Sequence, residues 1–171
     1  MRKLILFALS ITLLISGCSS DGTGNFKLYL TDQPVDNADE ILITISEISV
    51  QKAEEGFLTV WEGTEPLKYD LLKLENKEVL ILDTTLEEGT YTQIRLVVYS
   101  GSIKIAGEDD PHNMTVPSSE VKIPVVFNIM EGGVTEIVLD FEAEDSIHVV
   151  NAGQSEQYIL RPVVRVKSIS Y

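Results

Sequence analysis

One cysteine, two histidines and one tryptophan are all that the chain has of the residue types richest in chemistry. A single thiol cannot close an internal disulfide, so an extracellular domain of this sequence must be held by its core alone. Two histidines, His112 and His148, cannot make a three-histidine zinc site, and no His-x-x-x-His pair occurs. The Gly-x-Ser-x-Gly elbow, the Walker loop and the G-x-G-x-x-G turn are all absent. No catalytic residue is assigned on these grounds. Basic residues are also scarce: 13 Lys and Arg stand against 27 Asp and Glu, a net charge of −14. That balance lacks the positive footprint a nucleic acid requires. It also disfavours electrostatic adhesion to anionic lipid heads. No stretch shows convincing helical periodicity, and only one long apolar run occurs.

That run opens the chain. Arg2 and Lys3 precede an apolar segment from Leu4 to Ile15, which is short for a membrane span and typical of a signal-peptide core. It ends in Ile15-Ser16-Gly17-Cys18, which resembles the lipobox of prokaryotic lipoproteins. The resemblance implies cleavage of residues 1–17, diacylglycerol on Cys18, and residence outside the cytoplasm. Residues 18–25 then read as the lipidated Cys and a flexible tether, with one domain over residues 26–171. Removing 17 residues from 171 leaves 154, enough to bury about two-thirds of the unfolded surface. Loss of Arg2 and Lys3 takes the net charge from −14 to −16.

The remainder alternates with a period of two. Leu86-Glu87-Glu88-Gly89-Thr90-Tyr91 is an acidic turn leading into a strand in which Ile94, Leu96 and Val98 share one face. Tyr91 can bury its ring there and return its hydroxyl to the turn backbone, as in a tyrosine corner. Ile41, Ile43 and Ile45 are followed by Ile48 and Val50, so the apolar phase switches across Ser46-Glu47. A β-bulge, or a crossing between sheets, would accommodate that switch. Ser100-Gly101 reads as a break, and Glu131-Gly132-Gly133-Val134 as a hairpin turn before Ile137, Leu139 and Phe141. Pro162 interrupts the apolar stretch from Tyr158 to Ile169 and suits an edge or a bulge. The expectation is an all-β, immunoglobulin-like or prealbumin-like sandwich of roughly nine or ten strands.

Candidate sites lie in loops. Asp32, Asp36 and Asp39 share one loop and are candidate calcium ligands, because calcium takes carboxylate and carbonyl oxygens. Glu108, Asp109 and Asp110 form a second cluster. Surface turns favour Asp for backbone reasons too, and neither cluster has EF-hand spacing. Calcium is not needed for folding, and no other cofactor is implied. Trp61 could stack on a sugar if exposed, although tryptophan is more often buried. Carboxylate pairs that could hydrolyse a glycoside arise by chance among 27 acids.

Five stretches together resemble the domain of unknown function 4382 family of prokaryotic lipoproteins. They are Tyr29-Leu30-Thr31-Asp32-Gln33-Pro34, Tyr69-Asp70-Leu71-Leu72, Gly89-Thr90-Tyr91-Thr92-Gln93-Ile94-Arg95-Leu96, Val138-Leu139-Asp140-Phe141 and Leu160-Arg161-Pro162-Val163-Val164. The resemblance spans about residues 24–166. It implies location and fold, and it carries no activity. The sequence therefore reads as a monomeric, lipid-anchored envelope module that binds a protein or glycan without catalysis. A calcium-dependent adhesion module and a carboxylate hydrolase are the alternatives.

Overall fold

The computed structural model describes residues 22–152 and 155–171. Cys18 and the signal segment lie outside the described residues. Eleven strands form two sheets: β1 (Thr23–Thr31), β2 (Ala38–Lys52), β3 (Phe57–Asp70), β4 (Val79–Glu87), β5 (Gly89–Ile105), β6 (His112–Thr115), β7 (Glu120–Ile129), β8 (Val134–Phe141), β9 (Ile147–Ala152), β10 (Ser155–Leu160) and β11 (Val164–Ser170). A 3-10 turn, Leu71–Leu74, follows β3, and a single helical turn, α1 (Ala143–Ser146), follows β8. The smaller sheet has the order β11-β8-β1-β4. The larger runs β3-β2-β5-β6-β10-β9, with β7 also paired to β5. The domain is thus the expected all-β sandwich, with a few more strands than the sequence suggests.

The core lies between the sheets. Phe26, Leu28 and Leu30 of β1 and Ile137, Leu139 and Phe141 of β8 are fully buried. From the larger sheet come Ile41, Ile43, Ile45, Ile48 and Val50 of β2 and Tyr91, Ile94, Leu96 and Val98 of β5, all equally buried. The phase switch in β2 is a bulge. Against β5 the register steps from Ile45↔Val98 to Glu47↔Val97, leaving Ser46 as the extra residue.

Four readings are corrected. Glu131-Gly132-Gly133-Val134 is not a hairpin: β7 pairs with β5 in the larger sheet and β8 with β1 and β11 in the smaller, so this turn carries the chain between the sheets. Thr23 to Asn25 belong to β1, with Asn25 paired to Thr85 and Val134, so the tether ends earlier than Asn25. Ser100-Gly101 does not break β5. Gly101 pairs with Ile43 on one side and Met114 on the other. A Cβ there would stand 2.8 Å from both Leu160 Cδ2 and Met114 Cε, so the glycine permits close packing rather than a turn. Tyr158 to Ile169 is two strands. β10 pairs with β9 and β6 in the larger sheet, β11 pairs with β8 in the smaller, and Arg161-Pro162-Val163 carries the chain across.

Tyr91 behaves as its position suggests. Its ring is fully buried and its hydroxyl donates to the Glu87 carbonyl at 3.0 Å. Tyr91→Phe keeps the ring and removes this bond. The expected loss is about 0.5–1.5 kcal/mol, measured by urea unfolding at unchanged m-value. A larger loss would mean that the hydroxyl fixes the β4–β5 turn as a unit.

Candidate functional site

β1 and β8 run parallel, in register from Asn25↔Val134 to Thr31↔Asp140. Their C-terminal ends therefore emerge side by side, although more than a hundred residues separate them in sequence. Thr31 donates its hydroxyl to the Leu74 carbonyl at 3.2 Å, and Asp32 bridges to Glu75, which fixes the chain as it leaves β1. Beyond β8, Glu142 leads into α1. Ser146 closes that turn. Its fully buried hydroxyl donates to the Glu142 carbonyl at 2.7 Å and accepts from the Val163 amide at 2.8 Å. The Arg161 amide donates to the Ser146 carbonyl at 2.8 Å.

These segments enclose a cleft of about 280 Å³, lined by Asp32 to Pro34, Glu142 to Asp145, and Arg165. Asp32 is 3% exposed. Its Oδ1 accepts from the Gln33 amide at 2.8 Å and from the Ala143 amide at 3.2 Å. Its Oδ2 is buried with no hydrogen-bond partner among the described residues. Asp140 Oδ1 and Glu142 Oε2 are in the same position. Their other oxygens are engaged: Gln33 Nε2 donates to Asp140 Oδ2 at 3.1 Å, and Arg165 Nη1 to Glu142 Oε1 at 2.6 Å. Arg165 Nη2 also lies 3.8 Å from Asp145 Oδ2. The cleft thus holds more acceptors than donors.

Burial pushes the Asp32 carboxyl up to about 7. The Ala143 and Gln33 amides oppose that rise by stabilising the carboxylate, and the charges on Asp140 and Glu142 add to it. A carboxyl group held near neutrality beside other acids is an uncommon arrangement outside binding and catalytic sites.

The other candidates fall elsewhere. The structure does not bring Asp36 and Asp39 together with Asp32: Asp36 is exposed on the β1–β2 loop and Asp39 is exposed at the start of β2, while Asp32 turns into the fold. Among the described residues no group of three His, Cys, Asp or Glu side chains could hold a metal ion. Glu108, Asp109 and Asp110 are exposed. Glu108 pairs with His112, whose ring lies 4.9 Å from that of Tyr158. His148 is exposed on β9, as its strand position suggests. Trp61 is half-buried against the core, so it is neither the fully exposed platform a sugar would favour nor a core residue. Glu142, Asp145 and Arg165 were not candidates from sequence. The signal that finds them is the parallel pairing of β1 with β8, which strand patterns do not reveal.

A family model described as Domain of unknown function (DUF4382) matches residues 23–162. The chain belongs to that family. No curated protein and no solved structure matched it.

Proposed function

We propose that this chain is a lipid-anchored, extracytoplasmic binding module of the cell envelope, non-catalytic and monomeric, that presents its acidic cleft away from the bilayer. The observation that carries this reading is the opposition of two features along β1. Cys18 precedes Gly22 by four residues, a reach of roughly 14 Å. The Gly22 carbonyl accepts from the Glu88 amide at 2.7 Å and the Thr23 carbonyl from the Gly132 amide at 2.8 Å. The start of β1 is therefore clamped between the β4–β5 and β7–β8 turns, which carry the chain from one sheet to the other. Asp32 lies just past the other end of a nine-residue strand, about 30 Å away. Glu87, Glu88 and Glu131 at these turns suit attachment by lipid rather than by charge. Among the described residues no helix is long and apolar enough to cross a membrane.

A carboxylate hydrolase is the second reading, favoured by the raised Asp32 carboxyl beside Glu142. Weighing against it, Asp32 Oδ1 accepts from two backbone amides, which favour the carboxylate over the proton-bearing form a general acid needs.

The anchoring part is checked by expressing the full chain and its Cys18→Ala variant in a bacterial host with radiolabelled palmitate. The parent is expected to take up label and sediment with membranes, and the variant to do neither. A parent that remains unlabelled and fractionates with soluble protein would overturn the anchored reading.

A further inference from the structure

We infer that the cleft at the end of β1 is a binding site for a primary ammonium group, with the unpartnered Asp32 Oδ2 and Glu142 Oε2 as its acceptors. This rests on the binding-module reading above and names the ligand class. Asp32 is more than nine-tenths buried and lines the cleft, yet one of its oxygens meets no donor among the described residues. A buried carboxylate oxygen without a donor costs free energy, and natural domains rarely leave one so. Two residues that carry such an oxygen, Asp32 and Glu142, line the same cleft, and Asp140, which carries a third, is close enough to Asp32 for its charge to be felt there.

The charge around the cleft selects the sign of the missing group. Asp140 and Glu142 come from the end of β8, Glu144 and Asp145 from α1, and Glu75 from beyond the 3-10 turn. Against them stands Arg165 of β11, already committed to Glu142 and Asp145. An anion would meet repulsion, and a neutral donor would forgo the field.

Geometry then separates an ammonium from a metal ion. Calcium needs about six to eight oxygens converging at roughly 2.3–2.6 Å. Among the described residues no three acidic, His or Cys side chains converge in that way. An ammonium has three donors that point apart, and each needs only one acceptor at an ordinary hydrogen-bond distance. A cleft of about 280 Å³ accommodates an aminomethyl group with the carbons or sugar ring that bear it. An ammonium of this kind arises on a lysine side chain or on an amino sugar, and the chemistry at the acceptors is the same.

Isothermal titration calorimetry of the full chain in neutral detergent distinguishes the sources. The probes are Nα-acetyl-lysine methylamide and glucosamine, with their N-acetylated forms as neutral controls and calcium chloride as a separate arm. Saturable binding is expected for one or both amines, and none for the controls. Binding of the lysine derivative should strengthen as pH rises from 6 to 7.5, with proton release seen as a heat that differs between phosphate and MOPS buffers, neither of which carries a primary amine. The ligand draws Asp32 into its ionised form, and Asp140, Glu142, Glu144, Asp145 and Glu75 all favour the cation. Asp32→Asn should weaken binding roughly tenfold or more. Glu144→Gln, at an exposed cleft wall, should weaken it less. Absence of saturable binding by either amine, binding untouched by Asp32→Asn, or calcium displacing the amine from the same site would each overturn the assignment. The lipid plays no part in this titration, so its failure is separate from failure of the anchoring experiment.

Discussion

Asp32→Asn should stabilise the domain at pH 8 by roughly 2–4 kcal/mol and leave it unchanged near pH 4. An unfolded Asp titrates near 3.8, whereas burial holds Asp32 at about 7 in the folded chain. Between those values the native state keeps a proton that the unfolded state has released. Stability from this group is therefore fully present below about pH 4, falls as pH rises towards 7, and is level above it. Asn cannot ionise, so the variant escapes that loss. Its amide oxygen continues to accept from Ala143 and Gln33, and its amide nitrogen faces the region of Asp140 Oδ1 and Glu142 Oε2, which lack donors. The difference between parent and variant isolates this one group from the other acids that titrate over the same range. At about 2–4 °C per kcal/mol, the melting temperature at pH 8 should rise by around 10 °C. An Asn variant less stable than the parent at pH 8 would mean that Asp32 is ionised there and already compensated. Asp32→Ala should behave differently at every pH, because it strands the Ala143 amide.

The stability that Asn would add bears on function. A residue that weakens its own fold above pH 7 and lacks a donor is placed for something other than packing. Asp32 could be singled out from the sequence, but with the wrong companions. Asp36 and Asp39 are its neighbours along the chain, whereas its partners in space are Ala143, Asp140 and Glu142. A loop cluster can be read from spacing. A parallel pairing of β1 with β8 cannot, because alternation records which face a residue occupies and not which strand lies beside it. The same limit explains the strands. The bulge at Ser46, the buried face of β5 and the turn at Gly132, whose φ of +66° a glycine adopts freely, all leave local marks, although the turn passes between sheets and closes no hairpin. β3 runs on from Phe57 to Asp70 through Gly63 and Pro66, residue types that locally favour a turn. In the structure those residues lie opposite the Ser46 bulge, where the ladder passes from Glu47↔Glu62 to Ile45↔Leu67. Since β3 is an edge strand, Pro66 interrupts no second ladder.

Phe127→Ala should cost about 3–5 kcal/mol, at the upper end of what a single core truncation removes. Phe127 lies on β7 and is fully buried. Its ring stacks on Phe26 of β1 and on Tyr91 of β5, each at a centroid separation of 5.2 Å and an interplanar angle of 15°. The three rings cross the space between the sheets, so removing the middle one takes contacts from both. β7 has no ladder partner other than β5, and its grip on the smaller sheet depends on side chains such as this one. The void cannot be filled by a sliding strand, because Tyr91 is tied to Glu87 and the start of β1 is clamped by Glu88 and Gly132. The melting temperature should fall by on the order of 10 °C or more, and Phe127→Leu should lose less than half as much. The stack lies towards the start of β1, remote from Asp32. The Phe127→Ala and Asp32→Asn effects should therefore add within about 0.5 kcal/mol in the double variant. A marked departure from additivity would show that the two ends of β1 are coupled, and that a ligand seated in the cleft could be felt at the end where the chain enters β1.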